Sequence, residues 1–400
     1  MAAPISYVQI ANGGVAWNGK DNSKNNHERK VVCFFLDGGL SHLDSFDPKP
    51  NAPNSIRGEF GAINTSATGV YFSEIWPCLA TMADRITVIR SIHHRHNEHG
   101  FASRCMRTLQ NNSSRRTPGL GSVVQWQSQS TMPVFVGLND VLDYSGALGT
   151  NFRPFPLEGP VGAQITSSQK EGNTSDFNAR LSLLSQLATG KFAAKGDSRS
   201  QTLMRQHEKI GEILRSPVFR RMLDTSNVPP ATRLEYGETS IGHQALLARN
   251  AVTEGMKFTV VNVQGWDMHT DIFARSRRKA AEVDAAIAAF IKDLDSTGQL
   301  DSTIVLVMTE FGRSPIIEGT GRGHWPEAMS VLALGGPIPQ GQILGDTGPH
   351  GNSSTNIRHE PDDLLASLYV WLNLEWEVML PGEDARLNTA GSAIPELGFG

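Results

Sequence analysis

The chain has 400 residues, 39% apolar and 19% charged, with a formal net charge of −4. That length supports a large core in one or two domains, and the composition excludes long disorder. The weak negative charge excludes a global attraction to nucleic acid or anionic membranes, and no apolar run reaches the ~18–20 residues that span a bilayer.

Residues 1–29 are polar and Asn-rich and are expected to form an irregular arm. They lack the basic start and apolar core of a signal peptide, as expected of a cytoplasmic protein or of a periplasmic or secreted one whose leader has been removed. The run VVCFFL (31–36) reads as a strand buried on both faces, ending on Asp37-Gly38-Gly39. A Gly/Pro/Asn-rich loop carrying Ser41, His42, Asp44 and Asp47 follows, to about residue 70. FSEIWPCLATMADRITVIRSI predicts a helix with Pro77 near its start, then a strand at 86–89. NEHGFASRCMRTL and 118–128 predict helices, and MPVFVGL (132–138) another buried strand. From 160 to 250 helical periodicity dominates, which predicts a helical cap or insertion. Alternation then resumes: strand 257–263, helix 270–296, strands 303–308 and 329–334, and helix 362–373. Strands alternating with helices predict a doubly wound α/β fold with a mostly parallel sheet and helices on both faces. Cys33, Cys78 and Cys105 form no CxxC pair, which excludes a disulfide framework or a cysteine-built metal site.

Ligand sites in such sheets lie beyond the carboxyl ends of the strands. Asp37 follows the first strand, and His93, His94, His96 and His99 follow the second. Asp267 and His269 follow strand 257–263, and Glu310 and Arg313 follow strand 303–308, with His324 in the Gly-rich loop GTGRGHW. Any one of these could cap a turn, but acids and imidazoles after four strands in succession predict a divalent-metal site on one rim. The mixed N/O set favours zinc or manganese over calcium or magnesium. Adjacent His93 and His94 would point to opposite faces of an extended segment, so at most one should face the site. Arg313 reads either as a fork for a tetrahedral oxyanion or as an ion-pair partner of a nearby Asp.

The segments FLDGGLSHLDSFDPKPNAP, RGEF, WDMHTD, TEFGRSP and GTGRGHWP resemble the bacterial domain-of-unknown-function family 1501 (DUF1501), often labelled sulfatase-like. That family is similar to the alkaline phosphatase superfamily, and the resemblance spans most of residues 30–375. It implies a three-layer α/β/α hydrolase domain over 30–400 with a two-metal site. Asp37 matches a ligand of one metal, and Asp267, His269 and His324 match ligands of the other. Glu310 stands where many relatives carry Asp-His, with Phe311 in place of the imidazole. The sulfatase Cys-x-Pro-x-Arg sequence is absent, which argues against formylglycine chemistry. Relatives place the nucleophile at a helix start after the second strand, where the dipole favours anions. His99 is the first candidate there, with His94, Ser91 and Ser103 as alternatives and His96 and Asn97 as metal or anion contacts. The implied function is metal-dependent hydrolysis of a sulfate or phosphate ester of a small molecule or carbohydrate. The alternatives are a phosphomutase or phosphodiesterase, or a non-catalytic binding protein keeping the fold.

Overall fold

The computed structural model describes residues 29–157, 216–381 and 390–399, together with 10–11, 14–15, 212–213 and 386–387. The unbroken apolar run becomes β1 (Lys30–Leu36), whose residues from Val31 to Leu36 are all buried. Such a strand needs partners on both edges and cover on both faces, and the sheet supplies both. The remaining strands are β2 (Thr87–Ile89), β3 (Phe135–Leu138), β4 (Phe155–Pro156), β5 (Phe258–Val263), β6 (Thr303–Met308), β7 (Val331–Leu334) and β8 (Ile343–Leu344). They form one eight-stranded sheet in the order β8-β2-β7-β6-β1-β5-β3-β4. Neighbours are parallel except at β7, which is antiparallel to both β6 and β2. β1 lies at the centre, between β6 and β5.

The longer helices of the described residues are α1 (His99–Thr108), α2 (Leu120–Gln127), α3 (Pro217–Leu223), α4 (Pro230–Tyr236), α5 (Ser240–Thr253), α6 (Ile272–Ser296) and α7 (Pro361–Leu372). Side chains alternate along β1, so Val31, Cys33 and Phe35 share one core with α1, α2 and α7. Val32, Phe34 and Leu36 share the other with α3 to α6. The result is the three-layer α/β/α arrangement. Helix α6 buries Ala280, Val283, Ile287, Phe290, Ile291 and Leu294, a helical stripe laid on the sheet. Phe290 meets Phe34 edge to face at 5.1 Å. Burying one such ring stabilises the fold by roughly 1.5–3 kcal/mol.

The helix expected after residue 73 is only a short turn, Pro77–Ala80, followed by a 3-10 turn at Ala83–Arg85. Its start is capped from outside: buried Asp284 of α6 accepts from the Cys78 and Leu79 amides at 2.7 and 2.8 Å. Most of the expected 160–250 cap lies outside the described residues. At its C-terminal end α5 packs on α6 and β5, in the helical layer. No helix of the described residues is long and apolar enough to cross a membrane.

The Gly-Gly step after β1 has a steric cause. Asp37 still pairs with the neighbouring segment, donating from its amide to Val263 O and accepting from the Trp266 amide. Gly38 then turns with φ +119°, and a Cβ there would overlap the Asp267 backbone nitrogen. Gly38→Ala is therefore expected to cost roughly 2–3 kcal/mol. Gly69→Ala, at φ +78° with open space around the new methyl, should cost about 1 kcal/mol. Urea unfolding of the two variants checks the ordering, and equal losses would remove the steric explanation.

Candidate metal centre

Three segments meet at the carboxyl edge of β1, β5 and β6. Asp267 and His269 come from the turn after β5. His324 is carried by a two-residue ladder in which Gly312–Arg313 pairs with His324–Trp325, placing it opposite Arg313. His99 is the first residue of α1, behind β2. One ligand atom from each of His99, Asp267, His269 and His324 lies within 4.8 Å of the others, and among the described residues this is the one group that could hold a metal ion.

Tautomers are fixed from behind. Glu310 accepts from His99 Nδ1 at 3.0 Å, and the Asn97 carbonyl accepts from His324 Nδ1 at 2.6 Å. A carboxylate and a carbonyl can only accept, so the proton of each neutral ring sits on Nδ1 and the Nε2 lone pair faces inward. His99 Nε2 lies 3.3 Å from Asp267 Oδ2, and His269 Nε2 lies 3.0 Å from Asp267 Oδ1. The Nε2 atoms of His269 and His324 are 3.0 Å apart. Inward lone pairs clustered around a carboxylate are the donor set of a divalent cation, and the residues fit one.

Arg313 shapes the acid of this set. Its guanidinium is fully buried, donates to the Gly38, Gly39, Trp266 and Arg322 carbonyls, and reaches Asp267 Oδ1 at 2.7 Å. Partial burial pushes the Asp267 pKa up, but the Arg313 hydrogen bond and charge, with His99 and His269, outweigh it and hold it at about 2. Asp267 is thus ionised at any ordinary pH. For Glu310, 1% exposed, burial likewise raises the pKa, and the His99 and Gly38 hydrogen bonds overcome it to give a net lowering. Both Glu310 oxygens accept from the Gly38 amide, at 2.8 and 2.9 Å.

Of the residues singled out from the sequence, Asp267, His269, His324 and His99 are brought together. Asp37 is not in the group; its Oδ1 pairs with Arg107 Nη2 at 3.1 Å. Glu310 stands one step back, behind His99. His94 is fully buried, donating from Nε2 to Glu310 O at 2.5 Å and accepting from the His96 amide at Nδ1. It braces the rim, with both ring nitrogens occupied and its pKa pushed down to about 4 by burial. His96 donates to Asn111 O, and Asn97 contributes its carbonyl to His324. His93 donates to His359 O, away from the group. Trp266 is buried against Trp76 and orients its loop. Arg313, read as an oxyanion fork or an ion-pair partner, has its guanidinium turned inward onto Asp267.

Two arginines that position this edge went unread in the sequence. Arg107 was findable, because His99, Ser103 and Arg107 recur every four residues on one predicted helix. Arg322 is fully buried, pairs bidentately with Asp44 at 2.8 and 3.3 Å and donates to the Ile56, Ser314 and Pro315 carbonyls. It ties the His324 loop to the loop after β1. Gly321 lets the same loop approach the turn after β5, since a Cβ there would overlap the His269 carbonyl.

Solved structures similar to the chain include the lipoteichoic acid synthase LtaP from Listeria monocytogenes, 9% identical with a TM-score of 0.41, covering 93% of this chain and 76% of that one. The phosphonate monoester hydrolase SpPMH from Silicibacter pomeroyi is 13% identical, with a TM-score of 0.40 over 93% and 76%. The PsFucS1 sulfatase from Pseudoalteromonas sp. is 12% identical, with a TM-score of 0.39 over 93% and 74%. Likeness at this level is too distant to transfer an activity. No curated protein sequence matches the chain. The profile described as "Protein of unknown function (DUF1501)" matches residues 28–397, nearly the whole chain, and the protein belongs to that family.

Proposed function

We propose that this protein is a metal-dependent hydrolase of sulfate or phosphate esters in the manner of the alkaline phosphatase superfamily, acting on a small-molecule or carbohydrate ester. The observation that carries the reading is the convergence of three imidazoles and the Asp267 carboxylate on a partly open rim. A structural ion would be closed off; here the Asp267 and His269 side chains are 45% and 52% exposed, leaving room for an ester oxygen and water. A bound divalent ion supplies Lewis-acid charge at an ester oxygen and acidifies water at neutral pH.

The chain's own residues do the rest. Arg313 keeps Asp267 ionised and fixed against the Gly38-Gly39 turn. Glu310 and the Asn97 carbonyl hold protons at the Nδ1 atoms of His99 and His324, so those rings present bare nitrogens to the centre. His99 acts as a ligand in this reading, and water drawn from the open side is the nucleophile.

The test is direct. Chelator-treated protein should not hydrolyse aryl sulfate or aryl phosphate, and re-addition of zinc or manganese should restore one of the two activities. Which ester responds assigns the transferred group, sulfuryl or phosphoryl. Full activity after chelation, or none on either ester with metal bound, would reject the proposal.

A further inference from the structure

We propose that the centre is mononuclear, with the Arg107 guanidinium standing beside Asp37 as the fixed cation of that half of the rim. This rests on the metal-centre reading above. A second metal would need ligands of its own, and the described residues contain one group of three or more His, Cys, Asp or Glu side chains. Both carboxylates outside that group are otherwise engaged. Glu310 accepts from the Gly38 amide at each oxygen, from the Thr309 hydroxyl at 3.2 Å and from His99. A second ion on Glu310 would have to displace these buried bonds, among them the one that orients His99.

Asp37 faces a cation already. The Arg107 side chain is 5% exposed and lies 3.1 Å from Asp37 Oδ1. It is anchored by bonds to Asn262 Oδ1 at 2.7 Å and Ser103 Oγ at 3.0 Å, with its guanidinium carbon 3.8 Å from the centre of the Phe35 ring. An arginine held at so many points cannot swing away, so Asp37 is neutralised by the protein itself and a divalent ion there would meet a like charge. His99 completes the single ion's set, so all three imidazoles of the group serve one point.

Elemental analysis of the full chain, stripped with chelator and reloaded with manganese or zinc, should give one ion per chain. The manganese form should show the electron paramagnetic resonance spectrum of an isolated ion, without exchange coupling. Asp37→Asn should keep one ion at unchanged affinity, Glu310→Gln should keep one ion bound ~10–100-fold more weakly, and Asp267→Asn should bind none. Two ions per chain with a coupled spectrum, or loss of one ion in Asp37→Asn, would overturn the mononuclear assignment and leave the metal-centre reading standing. No ion in the unaltered chain would overturn both. The count on the unaltered chain decides even if Asp37→Asn fails to fold.

Discussion

His324→Ala should lose bound metal and ester hydrolysis together, while circular dichroism and the melting transition change little. The imidazole sits 19% exposed, stacked on Phe311 at 4.3 Å, with its Nδ1 proton on Asn97 O and its Nε2 among the other donors. Its removal deletes one of four ligands and leaves His269 without its neighbour. The loop itself stays, because Arg322 and the Gly312–Arg313 ladder hold it by bonds that do not involve the His324 side chain. Metal content falling to background, with both ester assays silent, is the expected result. Full metal content and full rate would remove His324 from the ligand set and, with it, the best-matched position of the family resemblance.

Acidification should destabilise the metal-free protein steeply between pH 6.5 and 4. His42 and His94 are both fully buried, and burial pushes each pKa from 6.5 down to about 4. A depressed histidine pKa means that the unfolded chain takes up the proton first as pH falls. The stability is therefore complete above 6.5, declines through the window and levels off below 4. A shift of that size corresponds to about 3 kcal/mol for each ring. His42 donates from Nε2 to Gly351 O at 2.8 Å, while its buried Nδ1 has no partner, so nothing receives a second proton. His243, His324 and His359, also lowered by burial, act in the same sense, while Asp284 and Asp362, raised by burial, act against it. Asp267, held at about 2, stays ionised throughout the window. His99 works in the opposite sense, its pKa raised first by the Glu310 hydrogen bond, but its side chain is 41% exposed and solvent screens the gain. Urea unfolding at pH 7, 5.5 and 4 measures the slope, and His42→Gln should make it shallower. Equal stability at pH 7 and 5 would sink the assignment.

Much of the fold was legible because apolar runs and helical stripes are local signals. The expected strand 303–308 and β6 coincide, and β1, β5, α1, α6 and α7 fall within a residue or two of their expected bounds or inside the expected segments. Strands β4 and β8, of two residues each, carry too few side chains for any periodicity. The antiparallel setting of β7 depends on the path of the chain between strands, which no pattern within the strand encodes. The expected helix beyond Pro77 stopped at four residues because its neighbours chose otherwise: Ala83–Arg85 tightens into a 3-10 turn and Thr87 enters the sheet.

The candidate centre divides along the same line. The sequence by itself determined which residues stand after the strands, since Asp37, Asp267, Glu310 and the histidine run follow apolar segments that must be buried. It also determined that a Gly-rich turn follows β1. Only the tertiary structure decided which donors share a point, because His99 and His324 are 225 positions apart in the chain and meet through the folding of two separate loops. It also decided which charges are already spent, turning Arg313 inward onto Asp267 and Arg107 onto Asp37. Pairing of that kind depends on distances of a few ångströms between remote segments, and those distances are set by the packing of the sheet and its two helical layers.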